Sequence, residues 1–109
     1  MRSHKEVEDF ILSKFDSRLD YPFGEGVAVY KAKNDKMFAL ISENTDPLRL
    51  SVKGDPQLNE LLRNKYESVL PGWHLNKKHW NTILLTGQLS DEEVKDLILH
   101  SHDLVMKSI

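Results

Sequence analysis

Three helix-start signals, widely spaced along the chain, limit what it can fold into more than any other feature. Ser3-His4-Lys5-Glu6 and Ser90-Asp91-Glu92-Glu93 are capping boxes. In such a box the serine hydroxyl takes a free amide of the first helical turn, and the glutamate reaches back to the serine amide. Asp55-Pro56 starts a helix differently: the carboxylate caps free amides, and proline at the first helical position has no N–H to leave unpaired. An apolar stripe at helical spacing follows each signal. Val7, Phe10, Ile11 and Phe15 predict a helix over about residues 4–15, and Leu58, Leu61, Leu62 and Tyr66 a second over about 56–67. Val94, Leu97, Ile98, Ser101 and Val105 predict a third, from about Asp91 nearly to the C-terminus.

The segments between these helices alternate at strand period. Asp16 to Gly26, with Pro22, Gly24 and Gly26, reads as a loop with room for a short edge strand near Leu19–Tyr21. Val27–Lys33 and Lys36–Glu43 flank Asn34-Asp35, a pair that tolerates positive φ and suits a two-residue hairpin turn. In that register Lys33 opposes Lys36 and Lys31 opposes Phe38, while Tyr30, Met37, Ala39 and Ile41 share the other face. Lys31, Lys33 and Lys36 then form a wing-like basic tip, although lysines at hairpin ends also serve simply to keep strand edges soluble. Leu48–Lys53 alternates strictly, with Leu48, Leu50 and Val52 inward and Arg49, Ser51 and Lys53 on an uncovered face. Trp80–Thr86 is β-branched and aromatic and ends at Gly87. The order α-β-β-β-α-β-α implies an α+β fold: a two-layer sandwich of an antiparallel sheet with helices on one face.

With 109 residues the chain is expected to form a single domain over 1–109. It contains no cysteine, which excludes disulfides, thiolate metal sites and thiol nucleophiles. The formal net charge of −2 gives no overall basic footprint, so nucleic-acid binding would need a local basic face. The first ten residues are too charged for a signal peptide, and no apolar run approaches the ~20 residues of a membrane span. A cytoplasmic protein without a membrane partner is expected.

Little in the sequence points to catalysis. Asp55, Glu6 and the Ser90–Glu93 acids are accounted for as helix caps, and Asp9, Glu60 and Asp96 fall on solvated helix faces. No phosphate-cradling glycine motif, nucleophile elbow or paired-histidine metal motif occurs. His100 and His102, two apart on a helix, point about 160° away from each other and cannot chelate together. No catalytic residue, metal or cofactor is therefore expected; an enzyme would need a cleft where His74 or His79 meets a carboxylate.

The stretch from Leu70 to Thr86, LPGWHLNKKHWNTILLT, stands apart. Trp73, His74, Asn76, Lys77, Lys78, His79 and Trp80 combine flat stacking surfaces, amide donors and cations. Such a mixture suits phosphate and base contacts. The plainer reading puts Trp80 in the core, uses Trp73 to staple the Pro-Gly turn, and leaves the lysines solvated.

KMFALIS (Lys36–Ser42), LSVKGDP (Leu50–Pro56), PGWHLNKKHWNTILLTG (Pro71–Gly87) and the closing SHDLV together resemble the MmcQ/YjbR family of small bacterial proteins. The resemblance covers nearly the whole chain; Asn34-Asp35 replaces the glycine-rich hairpin turn of relatives. It implies a frataxin-like (CyaY-like) α+β architecture, likened to a double-wing DNA-binding arrangement. The expectation is a non-enzymatic binding module for DNA, using Lys31, Lys33, Arg49, Lys53, Trp73, His74, Asn76, Lys77, Lys78 and His79. The alternative is a protein-interaction or small-ligand module with the Trp73–His79 loop as an aromatic hot spot. Oligomeric state is not set by the sequence.

Overall fold

The computed structural model describes residues 1–107. Its elements run α1 (His4–Lys14), β1 (Ser17–Asp20), β2 (Val27–Ala32), β3 (Met37–Ser42), β4 (Arg49–Lys53), α2 (Pro56–Lys65), β5 (Val69–Pro71), β6 (Trp80–Leu84) and α3 (Asp91–Lys107). The strands form one sheet of six in the order β1-β2-β3-β4-β6-β5, antiparallel at every pairing. This is the expected α+β sandwich, with β1 realising the edge strand at Ser17–Asp20 and β5 added at the far edge. β5 is three residues long and contains Pro71, too short to show a period in the sequence.

Register divides the sheet into two faces. Ala28, Ile41, Leu50, Ile83 and Val69 form a continuous row across five strands. Val7 and Ile11 of α1 and Val94, Ile98 and Val105 of α3 pack on that face. The opposite row is Asp20, Val29, Leu40, Ser51, Thr82 and Leu70. Ser101, fully buried, locks α3 onto the sheet: its hydroxyl donates to the Phe38 carbonyl at 2.6 Å and accepts the Lys53 amide at 2.9 Å.

The helix starts form by the anticipated chemistry. Asp55 accepts the Gln57 amide, with Pro56 at the first position. Ser90 and Glu93 make the full reciprocal box at 3.0 and 3.1 Å. In the first box Glu6 meets the Ser3 hydroxyl at 3.1 Å instead of its amide. The two histidines of α3 point apart, His100 accepting the Asp55 amide while His102 stacks on Phe15 at 4.2 Å.

Two details of the sequence reading are corrected. The hairpin turn contains Lys33, Asn34 and Asp35: Asp35 donates its amide to the Ala32 carbonyl, and Ala32 its own to the Lys36 carbonyl. Asp35 takes φ 73, so the aspartate alone supplies the positive φ that two residues were expected to share. The longer turn sets Ala32, not Lys33, against Lys36 and so places Lys31 opposite Met37 instead of Phe38; the ladder then slips at Tyr30/Lys31, passing over Phe38 to pair Tyr30 with Ala39. Met37 consequently packs with Val29, Leu40 and Trp80, away from Tyr30, Ala39 and Ile41.

Helix α2 also departs from its apolar stripe. Leu61 is 66% exposed, and the buried residue is Asn59 at 3%. A polar side chain wins the buried position because it meets fixed backbone acceptors there.

Candidate binding cleft on the open face

The face away from the helices is partly covered by the chain itself. Between β5 and β6, residues 72–79 leave the sheet edge and fold back over it. Gly72 opens this loop by donating to the Trp80 carbonyl at 2.9 Å. A Cβ at Gly72 would lie 2.7 Å from the Trp80 Cβ, so only glycine allows the chain so close. The Trp73 amide donates to Thr82 Oγ1 at 3.1 Å, and that hydroxyl shares a 2.8 Å hydrogen bond with Ser51 Oγ. Leu75 then packs with the open-face cluster of Val29, Leu40 and Trp80.

The far half of the loop is held from behind by α2. Asn76 Oδ1 accepts the amides of Lys78 at 2.9 Å and His79 at 3.3 Å, closing a tight turn. The carbonyls of Lys77, Lys78 and His79 are all taken, by Arg63, Asn59 and the Gly54 amide respectively. Arg63 also donates to Asn81 Oδ1 at 2.7 Å, and Asn81 Nδ2 donates to the Asn59 carbonyl at 3.2 Å. This network makes the loop a built feature, and it accounts for Asn76 without any ligand.

Under the near half of the loop lies a cleft of about 340 Å³. Its floor is Val27, Leu40, Ser42 and Ser51 of the sheet; Trp73, His74 and Leu75 of the loop form one wall, and Phe23 also lines it. Phe23 and Trp73, both lining this cleft, are 61% and 60% exposed, high for aromatic rings at a cavity. His74 takes φ 57, a left-handed backbone uncommon outside glycine and asparagine, and stacks edge-on to Trp73 at 4.6 Å. Arg49 lies in the same cross-sheet row as Val27 and Ser42, with its guanidinium 5.8 Å from the centre of the Trp73 ring.

The candidate residues therefore separate. Trp73 and His74 line the cleft, and Arg49 lies beside the Trp73 ring. Lys77 and Lys78 line a second, open groove of about 540 Å³ against α2, with Gln57, Glu60 and Arg63. Lys53, opposite Trp80, lies on β4. Lys33 sits in the hairpin turn. Lys31, on β2, pairs with Asp20 at 3.1 Å. That lysine, helped by the Tyr21 amide, holds the Asp20 carboxyl below the usual carboxylate range. β2 and β6 are three strand spacings apart, about 14 Å. His79 is half-buried. Among the described residues neither His74 nor His79 meets a carboxylate, and no group of three or more His, Asp or Glu is arranged to hold a metal ion.

The sequence reading did not select Phe23, Val27, Leu40, Ser42 and Ser51 for a site, because alternation assigns strand residues to faces without saying what covers a face. Phe23, a large apolar residue inside a Pro/Gly loop, was the one available signal. A second polar cluster was equally hidden. His4 Nε2 lies 3.1 Å from both Glu8 and the Tyr30 hydroxyl, and His4 Nδ1 is 3.2 Å from Glu43. Glu43 also accepts the Tyr21 hydroxyl at 2.9 Å. Burial, reinforced by the Glu8 carboxylate, pushes the Tyr30 phenol far above its ordinary range. The cluster pins the first turn of α1 to β2 and β3.

Comparison with known proteins agrees with this architecture. The YjbR family model matches residues 12–104. The protein YbdF of Escherichia coli O157:H7 is 36% identical over 91 residues, covering 84% of this chain and 74% of that protein. YjbR of Escherichia coli K12 is 41% identical over 64 residues, covering 59% of this chain and 54% of that one. Both relatives are described as uncharacterized. A crystal structure of the Deinococcus radiodurans protein DR2400 superposes with a TM-score of 0.93 at 36% identity, covering 99% of this chain and 81% of that one. Matching in sequence over most of its length and in fold over nearly all of it, this chain belongs to the YjbR family.

Proposed function

We propose that this domain is a non-enzymatic binding module for a small ligand with a flat apolar body, held in the cleft beneath Trp73. The observation that carries this reading is the pair of exposed aromatic rings, Phe23 and Trp73, flanking a cavity floored by Val27 and Leu40. Apolar walls with a few convergent polar groups, here Ser42, Ser51 and His74, are the usual composition of a ligand site. The cavity falls at the lower end of the ~300–1,000 Å³ range of such sites, which favours a ligand of one or two rings.

The test is an NMR fragment titration with neutral one- and two-ring aromatics. The expected result is shifts at Leu40, Ser51 and Leu75 that vanish in Trp73→Ala and barely change with salt. Fragments that bind elsewhere, or bind Trp73→Ala undiminished, would remove the cleft from consideration.

A second reading, DNA binding, draws support from one feature: Arg63, Lys77 and Lys78 line one groove with the single carboxylate Glu60. It loses support on the sheet, where Lys31 is neutralised by Asp20. Duplex binding at low salt that weakens in the Lys77→Ala/Lys78→Ala double variant, with a reduced salt slope, would favour it. No duplex or single-strand binding in fluorescence anisotropy at low salt would end it.

A further inference from the structure

Resting on the cleft reading above, we infer that the ligand class is a planar aromatic carboxylate, its ring against Trp73 and its anionic head met by Arg49 and the Ser42 hydroxyl. Three observations converge on this chemistry. The cleft wall and floor contain no Asp or Glu; in a chain of net charge −2 that is a local departure. Arg49 makes no ion pair among the described residues, whereas Lys31 on the same face has Asp20. Its guanidinium is held instead beside the Trp73 ring. Arg49 is also the direct cross-strand partner of Ser42, whose own partner on the other side is Val27.

The geometry assigns a role to each group. A guanidinium matches a carboxylate through two parallel N–H donors, and it does so best where a planar surface keeps it oriented. Trp73 supplies that surface and also the exposed ring that an aromatic body would cover. Ser42 can donate its hydroxyl to the same carboxylate, while Val27 and Leu40 leave the remainder of the ligand in an apolar floor. A cationic ligand would instead face an unpaired arginine and no acid, so the site discriminates by sign as well as by shape.

The experiment compares indole-3-acetate with its neutral analogue indole-3-acetamide and with the cation tryptamine, by protein-observed NMR titration of the full chain. Indole-3-acetate is expected to shift the Ser42, Arg49 and Leu75 amides and to bind about tenfold more tightly than the amide, with tryptamine weakest. Arg49→Gln is expected to erase the difference between acid and amide. Arg49→Lys, which keeps charge but loses the fork, is expected to retain about a third of it. Equal binding of acid and amide, or a preference that survives Arg49→Gln, would overturn the carboxylate assignment and leave the cleft reading intact. Failure of all three compounds to shift any cleft residue would overturn both.

Discussion

The side-chain amide of Asn59 donates to the carbonyl of Lys78 at 3.2 Å, joining a buried position of α2 to the loop that covers the open face. The same amide donates to the Gly54 carbonyl at 3.1 Å. Space is tight as well: a Cβ on Gly54 would come within 2.2 Å of Asn59 Oδ1.

Asn59→Leu is therefore expected to destabilise the fold by about 1–3 kcal/mol, because two backbone carbonyls lose their partner at a buried site. Urea denaturation measures the loss. Hydrogen exchange should speed at the amides of residues 78–80 more than in the core of α3. Uniform acceleration would show that Asn59 does not act on the loop.

Ser101→Ala tests the other polar lock. With the hydroxyl gone, the Phe38 carbonyl and the Lys53 amide lose their side-chain partner beneath a fully buried residue. A cost of about 1–3 kcal/mol is expected in denaturant melts. A change below ~0.5 kcal/mol would mean that these groups find other partners.

The two tryptophans should behave oppositely. Trp80 is 7% exposed and packs with Val29 and Leu40, so Trp80→Ala is expected to cost about 3–5 kcal/mol. Trp73 is 60% exposed, and Trp73→Ala should stay within about 1 kcal/mol in the same melts while removing cleft binding. Similar losses of stability for both would assign Trp73 to the core.

His102 predicts a pH dependence. Its ring stacks on Phe15 at 4.2 Å and meets Phe38 edge-on at 5.0 Å. Burial there lowers its pKa below the ordinary histidine value, outweighing the opposing charge of Asp103. The neutral ring is favoured in the folded state, so its contribution is full above the unfolded pKa of about 6.5 and is lost as pH falls through the lower folded pKa. The urea midpoint should drop on going from pH 8 to pH 5, and His102→Phe should flatten part of that slope. An unchanged slope in the variant would place the proton uptake at another histidine.

The fold was legible because its signals are local. Ser90 and Glu93 recognise each other three residues apart, and Leu50 and Val52 alternate with Arg49 and Ser51 on one strand. Asn59 was unreadable for the opposite reason. Helical periodicity favours Leu61 for burial, but the acceptors that fix the facing are the carbonyls of Gly54 and Lys78, and the latter lies 19 positions away. The pairing of Lys31 with Met37 likewise follows from the lengthened turn, in which Asp35 takes the positive φ.

By itself, then, the sequence determined the helix starts, the strand faces, the α+β class and the loop worth attention, since caps and periods act over a few residues. Only the tertiary structure decided that residues 72–79 fold back over the sheet, that Phe23 and Trp73 line one cavity, and that the candidate cations divide. Those outcomes rest on hydrogen bonds and packing between segments distant in sequence, such as Trp73 with Thr82, Asn59 with Lys78 and Arg49 with Trp73. Their strength depends on three-dimensional geometry that no local pattern encodes.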